Sequence, residues 1–450
     1  MVINSSRYSF LERRIGWKEL ATAFTYVLLL LIGLAWLRMA SSVALLCTLC
    51  IIAIALVSSS EICCRLIFIC FPFFNIMGAD LGGTSLFYAV VLLFAIKSLM
   101  DGTADDAKKR LVLFAFIVIA TIYNFTAGSM YVRWLIHLLV PILLVGTKRV
   151  RDSFPVYVQL LTVSLVISAV LGQVMINAGV YIYDQGYVWT ASEVTTRFAG
   201  LTGDSVFYGQ LVSVVVGANV YLALSEHGYR FLTPLCLALV LSVFLTYSKG
   251  ALVSLAVIAV FLIVGYLKRM LEKYLPVRHL LTCLLALAVA ILIFDLLLSG
   301  STGFSLNALT IRLNSGDLLT GRREIWEGYF NIWGRIGFPM LFRGMGFDAY
   351  ATTMVYKDLH HCHNIYIEAV TLFGFIGAMV MGIALFRFII RRLRRLRGGS
   401  SKLSLIPCVV LLCSGMILHG FTDTPFFYVW TVALCCIDYS FSLDGDVASA

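Results

Sequence analysis

A chain of 450 residues that is 60% hydrophobic and only 13% charged is excluded from the ordinary soluble class, where charged residues make up about 25%. Its mean hydropathy of +0.94 and its repeated apolar runs of spanning length imply an all-α polytopic integral membrane protein, a single transmembrane domain over residues 1–450. The net charge of +10 does not point to nucleic acid, because the basic residues gather at the ends of apolar runs, on one side of the membrane.

Hydropathy windows predict spans at roughly 20–37, 39–57, 62–77, 84–100, 111–127, 131–147, 155–176, 206–225, 231–247, 251–267, 280–298, 365–386, 403–420 and 426–441, about 12–14 transmembrane helices in all. The basic tail before the first run superficially resembles a signal peptide. The long helix and missing small-residue cleavage site make it an expected uncleaved first span. With that tail inside, Lys108, Lys109 and Arg110, then Lys148, Arg149 and Arg151, then Lys268 to Arg278, and finally Arg387 to Lys402 all fall on the inner side, as the positive-inside rule requires. The densest of these, Arg391 to Arg397, reads as an anchor against anionic headgroups. Of the 12 cysteines, only Cys362 lies in a predicted external loop, so no disulfide framework is visible. No fixed-period repeat and no GxxxxGK[ST] loop occurs, and the inner loops are too short for a nucleotide-binding fold. Chemistry is expected on the outer face.

Two outer segments are long, 177–205 and 299–364. The first carries RFAGLTGD, in which Arg197 is followed by Gly200 and Gly203, glycines that would let backbone approach a ligand. On spacing alone, an interfacial arginine bound to a headgroup is the favoured reading of Arg197. Lys249, in YSKGALVSL at the next outward turn, either faces an anionic substrate or snorkels. The second segment holds a predicted helix near 322–336. Ile325, Trp326, Tyr329, Phe330, Trp333 and Ile336 form one stripe, opposed by Glu324, Glu327, Asn331 and Arg335. This pattern predicts a helix lying flat, with its aromatic face in the membrane interface. Arg322 falls on the aromatic stripe, where it either meets a lipid-linked phosphate or snorkels from just before the helix.

That segment ends in His360-His361-Cys362-His363-Asn364, followed by an apolar helix that enters from outside. Asn364 or a neighbour would cap it, and the free amides there favour an anion. A histidine beside an anion site suits transfer chemistry, since imidazole accepts protons near neutral pH. An ordinary interfacial loop histidine fits equally well. A metal site is disfavoured, because four consecutive residues cannot converge on one ion from a regular helix or strand. Farther along, Gly374, Gly377, Ala378 and Gly382 form a small-residue strip suited to helix packing or to a lipid groove.

His363-Asn364, nine residues, then Gly374-x-x-Gly377 resembles the H[NSQ]-x9-GxxG pattern of bacterial O-antigen ligases. Gly321-Arg322 with Trp326, LFRGMGFDAY, RFAGLTGD and the SKG turn occur in the order of the wider O-antigen ligase and polymerase superfamily. The likeness covers roughly residues 190–385. Lys249 stands where the family usually has Arg, and RFAGLTGDS lacks the Pro-Asn that often follows. The resemblance implies a GT-C-like, metal-independent and cofactor-free glycosyltransferase of the bacterial inner membrane, with both long segments periplasmic. Its donor would be a glycan on undecaprenyl pyrophosphate, and its acceptor a lipid A-core sugar or a growing polysaccharide. It implies that His363 is the general base, that Arg197, Arg322 and Lys249 hold the pyrophosphate, and that Asn364, Gly374 and Gly377 support the site. A polymerase is the alternative. A protein O-oligosaccharyltransferase and a transporter of lipid-linked sugars are the minority readings, the latter because no internal repeat is present.

Overall fold

The computed structural model describes residues 16–77, 85–101, 136, 138, 140–180, 187–189, 194–224, 233–272, 309, 322–335, 337–346, 362–394, 404–415 and 424–449. The described chain is helical, apart from one small hairpin. Its helices are α1 (Trp17–Leu37), α2 (Ser41–Val57), α3 (Ser60–Cys70), α4 (Phe87–Met100), α5 (Lys148–Asn177), α6 (Ser205–Leu224), α7 (Thr233–Phe244), α8 (Lys249–Glu272), α9 (Arg322–Arg335), α10 (Phe338–Arg343), α11 (Ile365–Leu393), α12 (Ile406–Gly415) and α13 (Thr424–Ser449). Four of them, α1, α5, α6 and α11, are long and apolar enough to cross a membrane, and five shorter apolar helices accompany them. This is the architecture of a membrane-associated helical protein.

The boundaries depart from the hydropathy windows for identifiable reasons. The run at 62–77 becomes α3 followed by a 3-10 turn at Phe71–Ile76. Pro72 supplies no backbone donor there, and the indole of Trp36 donates to the Ile76 carbonyl at 3.0 Å. Helix α5 starts at Lys148, seven residues before the predicted 155, with Pro155 inside it. The predicted spans 111–127 and 280–298 lie outside the described residues, as does much of 131–147.

Helix α6 is the hub. It packs against α5, α7, α8, α12 and α13, and 83% of its apolar window is buried within the protein. Small residues allow this approach. A Cβ on Gly209 would stand 2.5 Å from the Ala251 Cβ of α8, and one on Gly217 would stand 3.2 Å from Ile406 of α12. The buried Asn219 of α6 is satisfied internally: it donates to Thr162 Oγ1 of α5 and to the Val215 carbonyl, both at 2.9 Å. Buried polar groups in an apolar medium require such partners. Helix α11 is the opposite case, with only 22% of its window buried, so most of its surface is left for lipid.

Replacing Gly209 with Leu is expected to destabilise the protein by about 1–3 kcal/mol through overpacking. Gly382→Leu, where nothing lies within 4 Å of an added Cβ, should stay within about 0.5 kcal/mol of the parent. Thermal unfolding in detergent distinguishes the two.

Candidate functional site

The segment RFAGLTGD is no exposed loop. Phe198, Ala199, Leu201 and Thr202 are all buried, in a non-helical stretch wedged between α5 and the start of α6. Ser168 of α5 accepts the Leu201 amide at 3.1 Å, and Asn75 donates to the Thr202 carbonyl. Its glycines serve the protein's own packing: a Cβ on Gly172 would stand 2.7 Å from the Gly200 backbone, and Gly200 has φ +55. Asp204 then caps α6, its Oδ1 accepting the amides of Val206 and Phe207 at 2.6 and 2.9 Å. Just before the segment, strands Tyr187–Trp189 and Val194–Thr196 pair antiparallel, Val188 opposite Thr195.

Arg197 opens the buried stretch. Its Nε donates to the Thr246 carbonyl at 3.0 Å, and the Phe198 amide donates to the Leu245 carbonyl at 3.0 Å. Residues 245–248 form the turn that leads into α8, whose first residue is Lys249. Tyr247 in that turn has φ +48 and is 1% exposed. Arg197 and Lys249 are therefore brought to one turn, with the Arg197 side chain anchored to it.

A second contact forms beside His363. Arg322 is the first residue of α9. One turn on, the Trp326 indole donates to the Cys362 carbonyl at 2.7 Å. Cys362 is fully buried, and its thiol donates to the Asn364 carbonyl at 3.1 Å. Asn364, also buried, caps α11: its Oδ1 accepts the amides of Tyr366 and Ile367 at 2.9 and 3.1 Å. Half-buried His363 sits between these two fixed residues with φ +46, in the left-handed region that histidine enters more readily than most non-glycine residues. The aromatic stripe of α9 is covered in part by protein. Tyr329 of the stripe is buried, as is Ile332 outside it, whereas Phe330 is 50% exposed. The Trp333 indole donates to Thr371 Oγ1 of α11 at 3.0 Å. Both indole N–H groups need acceptors, and α11 with its preceding residues supplies them. The opposite face, Glu324, Glu327, Asn331 and Arg335, is exposed, with an Arg323–Glu327 ion pair at 3.0 Å.

The glycine strip has a different use from either expectation. Helix α11 is broken at Gly374 (φ 68, ψ 177). The turn after α10 fills the break by backbone contact. A Cβ on Gly374 would stand 2.1 Å from the Phe342 carbonyl oxygen, and one on Gly344 (φ +87) would stand 2.4 Å from the Gly374 nitrogen. The Met345 amide donates to the Thr371 carbonyl at 2.8 Å, which in a continuous helix would accept from residue 375. Gly377 makes room for Phe373 across the break, at 2.7 Å from an added Cβ. Gly382 meets nothing within 4 Å. Phe342 and Trp333 both reach the Phe375 ring, at 6.2 and 6.1 Å.

The turn that holds Arg197 beside Lys249 and the contact of α9 with the residues flanking His363 thus stand on different elements. Helix α12 touches both sides: it packs on α6 and α8, and its Leu412 carbonyl accepts the Tyr366 hydroxyl at 3.0 Å. Among the described residues no group of three or more His, Cys, Asp or Glu is placed to hold a metal; His360 and His361 lie outside those residues. No protein-family model matches the chain, and no curated protein matches it significantly.

Gly374→Ala is expected to loosen the turn at 344–346, so that trypsin cleaves at exposed Arg343 roughly tenfold faster or more. Asn364→Ala should lose about 1 kcal/mol of stability with its cap, read from thermal unfolding.

Proposed function

We propose that this protein is an O-antigen ligase-like glycosyltransferase of GT-C-like type in the bacterial inner membrane, acting at its periplasmic face. It would transfer a glycan from undecaprenyl pyrophosphate to an acceptor sugar hydroxyl, as in lipopolysaccharide or surface polysaccharide assembly. The supporting observation is the bond from Trp326 to the carbonyl before His363. It ties the GR-x3-W helix to the His-Asn motif, two pieces separated in sequence whose order first suggested the class.

In this reading His363 accepts the acceptor hydroxyl's proton while that oxygen attacks the anomeric carbon. The bond from the anomeric carbon to the pyrophosphate oxygen breaks, and undecaprenyl pyrophosphate leaves with the electron pair. Arg322, Arg197 and Lys249 hold the pyrophosphate as its charge grows. Arg322 and Arg197 offer planar forks, whereas Lys249 contributes a point charge. The bond from Arg197 Nε to Thr246 limits the guanidinium's rotation. That is the preorganisation such stabilisation needs.

His363→Asn tests the base. Asn tolerates a positive φ, so the variant should insert and unfold like the parent while transfer falls by at least about 100-fold. Parent-level activity in this variant would remove the general-base role. A lipopolysaccharide gel from a deletion strain complemented with either form reads the acceptor. Uncapped core with polymer accumulating on undecaprenyl pyrophosphate indicates a ligase. Core bearing a single repeat indicates a polymerase, and an unchanged ladder directs attention to other glycans or to proteins.

A further inference from the structure

A cavity of about 340 Å³ opens at the end of the bundle where α4 finishes and α5 begins, far from the His363 motif in sequence and on different elements. Its volume lies at the small end of ligand cavities, which start at about 300 Å³. It has room for a polar headgroup and little more. The wall is divided by chemistry. Phe94 and Leu143 form an apolar side, while Asp101, Lys148, Arg149 and Asp152 form a charged side.

The charged side carries two acids and two bases, so its formal charges sum to zero. Asp101 and Arg149 already form a pair at 3.5 Å. Ser60 is bonded to both, accepting from Arg149 Nη1 and donating to Asp101. Among the described residues, Asp152 pairs with the Nε of neighbouring Arg151 at 3.6 Å. Lys148 is exposed and has no bonded partner among the described residues. One cation, Lys148, and one anion, Asp152 beyond its contact with Arg151, thus have capacity left over at the mouth. A purely anionic ligand would leave Asp152 facing like charge, and a purely cationic one would do the same at Lys148. A ligand carrying both charges offers an opposite partner to each.

We propose that this cavity binds the headgroup of a zwitterionic phospholipid with a primary ammonium, a phosphoethanolamine headgroup. Its phosphate accepts hydrogen bonds from Lys148 and from the outer edge of Arg149, and its ammonium donates to Asp152. The acyl chains leave past Phe94 and Leu143 into the membrane. A trimethylammonium headgroup has no N–H to give Asp152 and binds less well. Asp101 is suited to the supporting role: the Ser60 hydrogen bond first, and Arg149 second, hold its carboxyl below the ordinary range, so it stays charged and keeps Arg149 in place.

The test is native mass spectrometry of the full-length protein in detergent, with dioleoyl phosphatidylethanolamine, phosphatidylcholine and phosphatidylglycerol added at equal concentration. The expected result is retention of phosphatidylethanolamine over both others by roughly tenfold, the ratio set by about one charge-assisted hydrogen bond. Lys148→Ala with Asp152→Asn, both at exposed positions, should abolish that preference, whereas Lys148→Arg should keep it. A matched thermal midpoint shows that the double variant is folded; should it fail to fold, Asp152→Asn alone takes its place. Equal retention of phosphatidylglycerol overturns the proposal, as does a preference unchanged in the variant. Soluble phosphoethanolamine should displace the lipid where inorganic phosphate does not. Displacement by inorganic phosphate at the same concentration would make the site one for free phosphate and overturn the headgroup assignment.

Discussion

The hydrogen bond from the Met345 amide to the Thr371 carbonyl is the interaction on which the His363 region depends. Inside an apolar medium a backbone carbonyl without a partner costs several kcal/mol, so a helix can break there only where something replaces the missing donor. Here the turn after α10 is that replacement, and its close seating requires two glycines to meet backbone to backbone. Everything nearby is arranged about the same point. Trp333 bonds Thr371, Phe342 and Trp333 close on Phe375, and α9 is thereby laid along α11. The other end of α9 then reaches the chain beside His363 through Trp326.

The buried RFAGLTGD segment solves the same problem in another way. It too is irregular backbone among helices, and its amides and carbonyls go to Ser168, Leu245 and Asn75. Two non-helical pieces, each satisfied by protein rather than by water, carry or adjoin the cations and the histidine. That is the general condition under which irregular backbone is tolerated at membrane depth. It also explains why Arg197 points at a turn: the segment it begins is already committed to packing.

Much of the fold was legible in hydropathy alone, because apolar run length is set by membrane thickness. The long element ends near Asn177 and Ser205 fall close to the predicted limits of the first outer segment. The break at Gly374 was not legible. A glycine in an apolar run is as compatible with helix packing as with a break, and only the distant LFRGMG turn decides between them. What covers the stripe of α9 was not legible for a similar reason. Periodicity identifies an apolar stripe but does not say what covers each residue: Phe330, within the stripe, is half exposed, and Ile332, outside it, is buried. The hairpin at 187–196 left a readable trace, the β-branched and aromatic runs YVW and VTT, too short for hydropathy windows to register. The cavity residues lie hundreds of positions from the motif, and their mixed charge reads in sequence only as helix ends.

The break has an electrostatic consequence of its own. Interrupting α11 at Gly374 divides one long column of aligned peptide dipoles into two, so a carbonyl end and an amide end meet inside the protein and largely cancel. The field felt at Asn364 is scarcely reduced, because a helix terminus acts through the unbonded amides of its first turn and its influence fades beyond that. Those amides belong to the nine residues before Gly374. The half-helix before Gly374 therefore keeps its positive end and the capping Asn364 whatever the length of the half that follows.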